Sequence, residues 1–401
     1  MNAYENFSRQ HRLPEFVTGR IDRFYEQRVR RDWGGRILTR GLSAGDDAVL
    51  VNHNDYLQVA AEAEAACEQG RTAMEASGAV LMSSVFQNSD APVRVLERKL
   101  ANFMGYEDGL ITQSGWVANT GLLQAITGPG VPVYIDLMAH MSLWAGAKFA
   151  GVRPHLVRHN DVDHLQRQID RHGPGIVLID SVYSTDGSIA PIKAFCETSE
   201  RNGCLLVVDE SHSLGVYGKQ GEGLVKSLGL SEKVGFVTAS LAKAFGGRAG
   251  FVGFDEGVRD FFLTHSYPSI FSSAVMPHDV CILSHAFELI RKGKGRRARL
   301  FENAAYLRDG LCELDLGVNP EGAQIIALPC KDENALLDAR DCFEAQGVFA
   351  APFAAPATPK NAPVLRISAH SGLGRRDMDA VINVAAVAAG KRRRNHYRMV
   401  G

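Results

Sequence analysis

The fold is decided by two apolar runs that end in reactive side chains, Cys204-Leu205-Leu206-Val207-Val208-Asp209-Glu210-Ser211-His212 and Val234-Gly235-Phe236-Val237-Thr238-Ala239-Ser240-Leu241-Ala242-Lys243. Runs of this kind are typical of strands that are buried on both faces, as in parallel sheets covered by helices. Because ligands bind at the carboxyl ends of such strands, Asp209 and Lys243 are expected to contact the same ligand.

Further apolar runs on both sides of this pair alternate with helical patterns. The predicted strands are 109–112, 131–136, 155–159, 176–180, 204–209, 234–239 and 249–254. The predicted helices between them are 92–103, 118–126, 163–171 and 192–201. This alternation predicts an α/β fold with a mostly parallel central sheet.

The pattern changes near both ends of the chain. A helix is predicted over 13–31, and a glycine-containing loop follows over 33–47. After residue 276 the predicted elements are helices 278–291, 297–314, 334–346 and 376–389 and short strands 324–328, 348–353 and 364–368. We therefore predict an N-terminal helix and arm (1–50), a large α/β domain (51–275) and a smaller C-terminal α+β domain (276–401).

Composition excludes several classes of function. The 401 residues include 44 Lys and Arg against 45 Asp and Glu, a formal net charge of −1, so no strong field attracts nucleic acid or an anionic membrane. The seven scattered cysteines contain no C-x-x-C, which argues against a disulfide framework or a zinc site. No metal is therefore expected. Since neither a signal peptide nor an apolar stretch long enough to cross a membrane is evident, the protein is expected to be cytoplasmic.

A lysine and an aspartate at strand ends suit pyridoxal 5′-phosphate. The amine of Lys243 can form a Schiff base with the cofactor aldehyde, and Asp209 can keep the pyridine nitrogen protonated. His212 stands where it can reach the 3′ oxygen of the ring, although a structural loop histidine is the alternative. Ser114-Gly115-Trp116 precede a predicted helix, whose first N–H groups would suit the phosphate, and N-capping explains the serine equally well.

These features resemble the α-oxoamine synthases, a family of fold-type I pyridoxal-phosphate enzymes. The matching stretches occur in family order: Asn54-Asp55-Tyr56-Leu57, Ser114-Gly115-Trp116-Val117-Ala118-Asn119, Asp136 with His140-Met141-Ser142, Asp180 with Tyr183-Ser184-Thr185-Asp186-Gly187, Asp209-Glu210-Ser211-His212-Ser213-Leu214-Gly215, Ser240-Leu241-Ala242-Lys243-Ala244-Phe245-Gly246, Phe271-Ser272-Ser273 and Leu365-Arg366-Ile367-Ser368. The resemblance implies an aspartate aminotransferase-like fold and an acyltransferase activity.

The resemblance also implies a role for each matched residue. Lys243 is the lysine that binds the cofactor covalently, Asp209 the partner of the pyridine nitrogen and His212 the partner of the 3′ oxygen. His140 stacks on the cofactor ring, and Ser184 contacts the cofactor near the 3′ oxygen. Lys243, His140, Asp209 and His212 are thus the implied catalytic residues.

Other matched residues are implied to bind the phosphate and the substrate. The phosphate cup is formed by Ser114, Gly115, Trp116 and Ser240. Ser272 and Ser273 reach the phosphate of the neighbouring subunit, which implies a homodimer with active sites at its interface. Arg366 binds the carboxylate of the amino acid, a task suited to its bidentate guanidinium.

One segment departs from the wider family. Relatives that use glycine, alanine or serine carry a glycine-rich stretch where this chain has the bulkier Leu81-Met82-Ser83-Ser84-Val85-Phe86-Gln87-Asn88-Ser89-Asp90. Here, and at 139–144, 171–176 and 356–361, the chain resembles the α-hydroxyketone quorum-sensing autoinducer synthases. Drift in a loop of a housekeeping synthase is the alternative.

That subgroup condenses a medium- or long-chain acyl-CoA with 2-aminobutyrate or S-adenosylmethionine and releases carbon dioxide. Side chains that could line an acyl tunnel, unless they are ordinary core, are Val80, Leu81, Met82, Val85 and Phe86. The basic helix 13–31 either faces solvent or meets the CoA phosphates.

Two other functions are alternatives at this point. The enzyme alternative is an 8-amino-7-oxononanoate synthase or a glycine C-acetyltransferase. The other is a non-catalytic dinucleotide-binding module. The sequence argues against it, because no G-x-G-x-x-G follows a strand.

Overall fold

The computed structural model describes residues 13–69 and 91–390. The strands are β1 Val49–Leu50, β2 Asp108–Thr112, β3 Val133–Asp136, β4 His155–Val157, β5 Ile176–Asp180, β6 Leu205–Asp209, β7 Phe236–Ser240, β8 Gly250–Phe254, β9 Ile325–Pro329, β10 Val348–Phe349, β11 Ala351–Phe353 and β12 Val364–Ser368. The helices of the same ranges are α1 Glu15–Arg23, α2 Ala60–Gln69, α3 Pro92–Met104, α4 Gly115–Ile126, α5 Met141–Phe149, α6 Val162–His172, α7 Ile192–Arg201, α8 Leu224–Ser227, α9 Val258–His265, α10 Tyr267–Ile270, α11 Pro277–Lys292, α12 Lys294–Cys312, α13 Glu333–Ala345 and α14 Arg375–Ala388.

The central sheet has seven strands in the order β2-β8-β7-β6-β5-β3-β4. Strand β8 is antiparallel to both of its neighbours, and the pairs β7–β6, β6–β5, β5–β3 and β3–β4 are parallel. Every residue of β3, β5 and β8 is buried, as their continuous apolar sequences predict. The α/β fold with a mostly parallel central sheet is therefore confirmed.

The two faces of this sheet are covered by separate hydrophobic clusters. The smaller cluster includes Leu122 of α4, Leu143 of α5 and Phe262 of α9. The larger includes Leu96 of α3, Phe195 of α7 and Leu283 of α11, and it continues into the C-terminal part of the chain. Because both faces are packed, open space for a ligand remains at the strand ends.

The C-terminal part contains a three-stranded antiparallel sheet in the order β11-β12-β9. The single strand predicted over 348–353 is wrong in detail, because the chain divides there into β10 and β11. The physical reason is a change of partner: β10 pairs in parallel with β1, whereas β11 pairs with β12. The domain boundaries at residues 50 and 275 stay predictions.

The N-terminal arm packs on α13. Helix α1 continues as a π-helix over Phe24–Asp32, within the predicted helix. The indole of Trp33 donates to Glu333 at 2.7 Å, and Arg28 and Arg36 pair with Glu333 and Asp338. Two arginines of the arm, Arg28 and Arg36, are therefore matched by acidic side chains of α13, so these two give no support to a contact with CoA phosphates.

Three further findings bear on the sequence predictions. All seven cysteines lie in the described ranges, and each is a free thiol. Within those ranges, no helix combines the length and apolarity needed to cross a bilayer, and no group of three or more metal-binding side chains converges. The bulky segment 81–90 and the tunnel residues 80–86 lie outside the described residues.

Candidate active site

The site is built at the carboxyl ends of β5, β6 and β7. These strands end in Asp180, Asp209 and Ser240, and Asp180 is the register partner of Asp209. A cavity of about 70 Å³ opens there. Its lining residues are Gly115, Trp116, Asn119, His140, Ser142, Asp180, Asp209, Ser211, His212, Ser240 and Lys243. Seven of the twelve residues predicted from the sequence are in that list.

Asp209 is held by two donors in the buried floor of the cavity. The side-chain amide of Asn119 donates to Oδ2 at 2.7 Å, and the backbone N–H of Ser211 donates to Oδ1 at 2.8 Å. The neighbouring Asp180 is fully buried, and burial together with the charge of Asp209 raises its pKa well above the ordinary value. Asp180 is therefore protonated more readily than a surface carboxyl.

Lys243 lies three residues after β7 and lines the same cavity. Burial, and then the positive charge of Arg366, lower the pKa of its amine to about 8, while Asp209 opposes that shift. A lysine whose amine is neutral near pH 8 is a far better nucleophile and base than a solvent-exposed lysine.

His140 caps the N-terminus of α5 and is fixed from two directions. Its backbone N–H donates to Asp180 at 3.2 Å, and its Nδ1 lies 2.7 Å from the hydroxyl of Ser142. Ser142 in turn accepts from Asn119 at 2.8 Å, so its own proton is free for His140. Burial lowers the pKa of His140, which favours the neutral ring, and the residue lines the cavity.

The predicted phosphate cup is a close approach of two backbones. A Cβ on Gly115 would lie 2.7 Å from Cβ of Ser240, so only glycine lets the start of α4 meet the end of β7. Ser114 is the N-cap of α4, its Oγ accepting from Val117 N–H at 3.2 Å, as the capping alternative predicts. Ser240 lines the cavity with its hydroxyl, and the free N–H groups at the helix start are those that anions bind.

A larger cavity of about 650 Å³ adjoins the first and shares His140, His212 and Lys243 with it. Ser184 and Arg366 line it, together with a mostly apolar set: Leu137, Met138, Ala139, Met141, Trp144, Phe353, Pro356, Ala357 and Pro359. It therefore places a cation and an apolar surface beside the same lysine.

Arg366 lies on β12 and is only 3% exposed. Its guanidinium donates to Ser184 O at 2.9 Å and to Asn54 Oδ1 at 2.8 Å, and stacks 4.6 Å from the ring of Phe353. Both acceptors are neutral, and no carboxylate within the described ranges pairs with it. Burial lowers its pKa. An uncompensated buried cation of this kind is costly unless a ligand supplies the anion.

His212 is fully buried beside Lys243. Burial, and then the charges of Lys243 and Arg366, lower its pKa well below the ordinary value, so the ring is neutral. Its Nδ1 lies 2.6 Å from the phenol oxygen of Tyr56, and its carbonyl accepts from Gln324 at 2.8 Å.

Three of the predicted residues line neither cavity: the capping Ser114, Ser272 and Ser273. Ser272 donates to the carbonyl of Pro268, and Ser273 accepts from the side chain of Gln113, next to the phosphate cup. The preceding Phe271 is 80% exposed and contacts the ring of Tyr267, which is 53% exposed. That the two serines reach a neighbouring subunit stays a prediction.

Sequence reasoning gave no role to five residues that organise the site: Asn54, Tyr56, Asn119, Ser142 and Asp180. All of them stand in the motif stretches quoted above, and that placement was the available signal. Ser142 contacts His140 locally, two residues away, whereas the hydrogen bonds of the other four to Arg366, His212, Asp209 and His140 join distant parts of the chain.

Comparisons with known proteins agree with this geometry. The family model described as "Aminotransferase class I and II" matches residues 41–384. The chain belongs to this family. The chain is 40% identical to the CAI-1 autoinducer synthase of Vibrio campbellii, over 94% of this chain and 95% of that protein. It is 31% identical to an 8-amino-7-oxononanoate synthase of Mycobacterium sp., over 89% and 93%.

A solved structure of this family has the same fold. A serine palmitoyltransferase variant from S. paucimobilis, with a bound PLP-myriocin aldimine, superposes with a TM-score of 0.82 at 22% identity, covering 94% of this chain and 97% of that one. Fold type I is thus confirmed, as is the resemblance to α-oxoamine synthases, which are pyridoxal-phosphate-dependent acyltransferases. Pyridoxal 5′-phosphate is the cofactor of the family, so the cofactor prediction is confirmed.

The residues of the smaller cavity suit this cofactor. Lys243 provides an amine of lowered pKa, Asp209 a fixed carboxylate, and Gly115 the room for a phosphate at a helix start. These three residues therefore fit the cofactor of the family independently of the sequence comparisons.

Proposed function

We propose that the protein condenses an acyl-CoA of medium or long chain with an α-amino acid, 2-aminobutyrate or S-adenosylmethionine. The product is an α-aminoketone, the precursor of a quorum-sensing α-hydroxyketone autoinducer. The observation that carries the proposal is the buried Arg366, which has no acidic partner in the described ranges and shares a largely apolar cavity with Lys243. The 40% identity to the CAI-1 autoinducer synthase supports the autoinducer branch.

Each polar residue of the site then has a task. Arg366 binds the amino-acid carboxylate, and Lys243, with its lowered pKa, accepts the proton from Cα. Asp209 keeps a proton on the pyridine nitrogen, His212 donates to the 3′ oxygen, and His140 covers the ring. Bound pyridoxal phosphate supplies the electron sink that stabilises negative charge at Cα.

The overall reaction balances without a further reactant. A carbon–carbon bond forms between Cα and the acyl carbon as the thioester C–S bond breaks and CoA leaves. The bond from Cα to the carboxylate then breaks, carbon dioxide leaves, and a proton from solvent takes its place, while the proton removed earlier from Cα goes to the departing thiolate of CoA.

The apolar side of the larger cavity suits the acyl chain. Trp144, Met138 and Phe353 present hydrocarbon and aromatic surface within the same space as Lys243 and Arg366. A chain of several methylenes gains roughly 0.8 kcal/mol for each one buried, so such a wall selects against short acyl groups.

The active protein is proposed to be a homodimer. Phe149, Tyr267 and Phe271 form an edge-to-face series, and Tyr267 and Phe271 are more than half exposed. Exposed aromatic surface next to the phosphate cup supports an interface there, with Ser272 and Ser273 directed at the neighbouring subunit's site.

The second candidate is an 8-amino-7-oxononanoate synthase, which the 31% identity over 89% of the chain favours. A glycine C-acetyltransferase is the remaining member of that alternative. Both differ from the first proposal in the amino donor and in the acyl partner.

Product analysis separates these candidates. The purified holoenzyme is given equal amounts of short, medium and long acyl-CoAs and a set of glycine, alanine, 2-aminobutyrate and S-adenosylmethionine, and products are identified by mass spectrometry. The proposal expects products that combine the longer acyl groups with 2-aminobutyrate or S-adenosylmethionine. Exclusive use of alanine or glycine would overturn it, and Lys243→Ala should give no product.

A further inference from the structure

Tyr56 is the one hydrogen-bonding neighbour that the structure gives to the ring nitrogens of His212 within the described ranges. The phenol oxygen lies 2.6 Å from Nδ1, and both side chains are buried. Residue 56 belongs to the turn after β1, and residue 212 follows β6. The contact therefore joins the turn after β1 to the floor of the site.

The phenol has a single proton and two candidate acceptors. Its oxygen is 2.6 Å from Nδ1 of His212 but 3.2 Å from Oδ1 of Asn54. The Asn54 oxygen already accepts from Arg366 at 2.8 Å, so it does not depend on the phenol. The shorter contact takes the proton, and Nδ1 of His212 is then the acceptor.

The charge states of both groups agree with this direction. Burial raises the pKa of Tyr56 to about 12, so the phenol keeps its proton at neutral pH. Burial lowers the pKa of His212 far enough that the ring carries one proton only. A neutral imidazole whose Nδ1 accepts carries its proton on Nε2.

We propose that Tyr56 is a positioning residue that holds His212 in the Nε2–H tautomer, so that the ring can donate to the 3′ oxygen of pyridoxal phosphate. The inference rests on the role proposed above for His212 and is independent of which acyl-CoA and amino acid the enzyme uses. The opposite tautomer would direct a lone pair at an electron-rich oxygen, and that contact is repulsive.

The same hydrogen bonds link the ring contact to substrate binding. Arg366 donates to Asn54, Asn54 lies beside the phenol, and the phenol donates to His212. The segment after β1 that contributes residues 54 and 56 thus aligns the carboxylate-binding group and the 3′-oxygen partner together.

The test uses the holoenzyme with isotopically labelled histidine. Long-range nitrogen–proton NMR spectra report which ring nitrogen of His212 is protonated, with the signal assigned by its loss in His212→Asn. Wild-type protein is expected to show a protonated Nε2. In Tyr56→Phe, the signal is expected to shift towards the Nδ1–H form or a mixture, the visible absorbance of the bound cofactor to change, and cofactor affinity to fall about tenfold.

Tyr106→Phe is the matched control. Its phenol is also buried, but it donates to the carbonyl of Val234 at 2.9 Å, away from both cavities. This variant is expected to lose a comparable hydrogen bond while keeping the His212 signal, the absorbance and the cofactor affinity of the wild type.

Two results would overturn the inference. One is a wild-type His212 that carries its proton on Nδ1, which needs no variant and so does not depend on whether Tyr56→Phe folds. The other is a folded Tyr56→Phe whose His212 tautomer and cofactor absorbance equal those of Tyr106→Phe. Because neither readout involves substrate, failure here is distinct from failure of the proposed function, which the product analysis decides.

Discussion

The amide of Asn119 and the carboxylate of Asp209 are joined by a buried hydrogen bond of 2.7 Å. Asn119 lies on α4, whose first turn is the predicted phosphate cup, and Asp209 ends β6. The same amide donates to Ser142, and the Asn119 oxygen accepts from Thr238 at 2.6 Å. One side chain therefore connects the phosphate end of the site to its carboxylate and to the capped helix of His140.

We expect Asn119→Ala to lower turnover by about tenfold to a hundredfold. The change removes the donor to Asp209 and leaves buried polar groups without partners, which costs about 1–3 kcal/mol. Steady-state kinetics with saturating cofactor measures the effect. Asn303→Ala is the control, because it also removes buried hydrogen bonds, to the carbonyls of residues 370 and 373. Equal losses in both variants would show that Asn119 acts only through stability.

Gly115→Ala is expected to weaken cofactor binding by about tenfold or more. The new methyl would lie 2.7 Å from Cβ and 2.9 Å from Cα of Ser240, so the helix start must move away from β7, at a cost of about 1–3 kcal/mol. Titration of the apoenzyme with pyridoxal phosphate measures the affinity. Gly128→Ala should bind like the wild type, since nothing lies within 4 Å of its added methyl. Unchanged affinity in Gly115→Ala would remove this turn from the phosphate site.

Arg366→Ala is expected to raise the KM for the amino acid by about 30-fold or more and to spare the KM for acyl-CoA. Loss of a buried charge partner costs about 2–5 kcal/mol, and the acyl-CoA does not use this group. The amino-acid KM of Arg366→Lys should lie between those of the wild type and Arg366→Ala, because lysine keeps the charge but lacks the planar guanidinium. Initial rates with each substrate varied in turn provide the measurement, and a change confined to acyl-CoA would contradict the assignment.

The rate at which apoenzyme takes up pyridoxal phosphate is expected to rise with pH and level off above about 8. Only the neutral amine of Lys243 attacks the aldehyde, and its pKa is lowered to about 8 by burial and by Arg366. The neutral fraction thus grows roughly tenfold per pH unit below that value. Stopped-flow absorbance measures the rate. In Arg366→Ala the plateau should begin at a higher pH, because a positive charge that lowers the lysine pKa is lost. A wild-type plateau that begins only near the ordinary lysine pKa would show that the pKa of Lys243 is not lowered.

Much of the fold could be read from local patterns. Several of the seven central strands are continuous apolar runs that can be recognised without knowledge of their partners, and most of the predicted strand bounds agree with the structure within two residues. The strand predicted over 348–353 failed because its two halves pair with different strands, β1 and β12. The periodicity of a short segment does not indicate which strands its residues will pair with.

The sequence by itself predicted the α/β fold, because apolar runs are local properties, and its motifs carried the resemblance to the family. The roles of Lys243, Asp209 and Arg366 stay predictions. Only the tertiary structure decided how those groups are tuned. Asn54 meets Arg366 across 312 residues, and Tyr56 meets His212 across 156. Burial lowers the pKa of Lys243 and His212, and it arises only when distant segments exclude water from the same small volume.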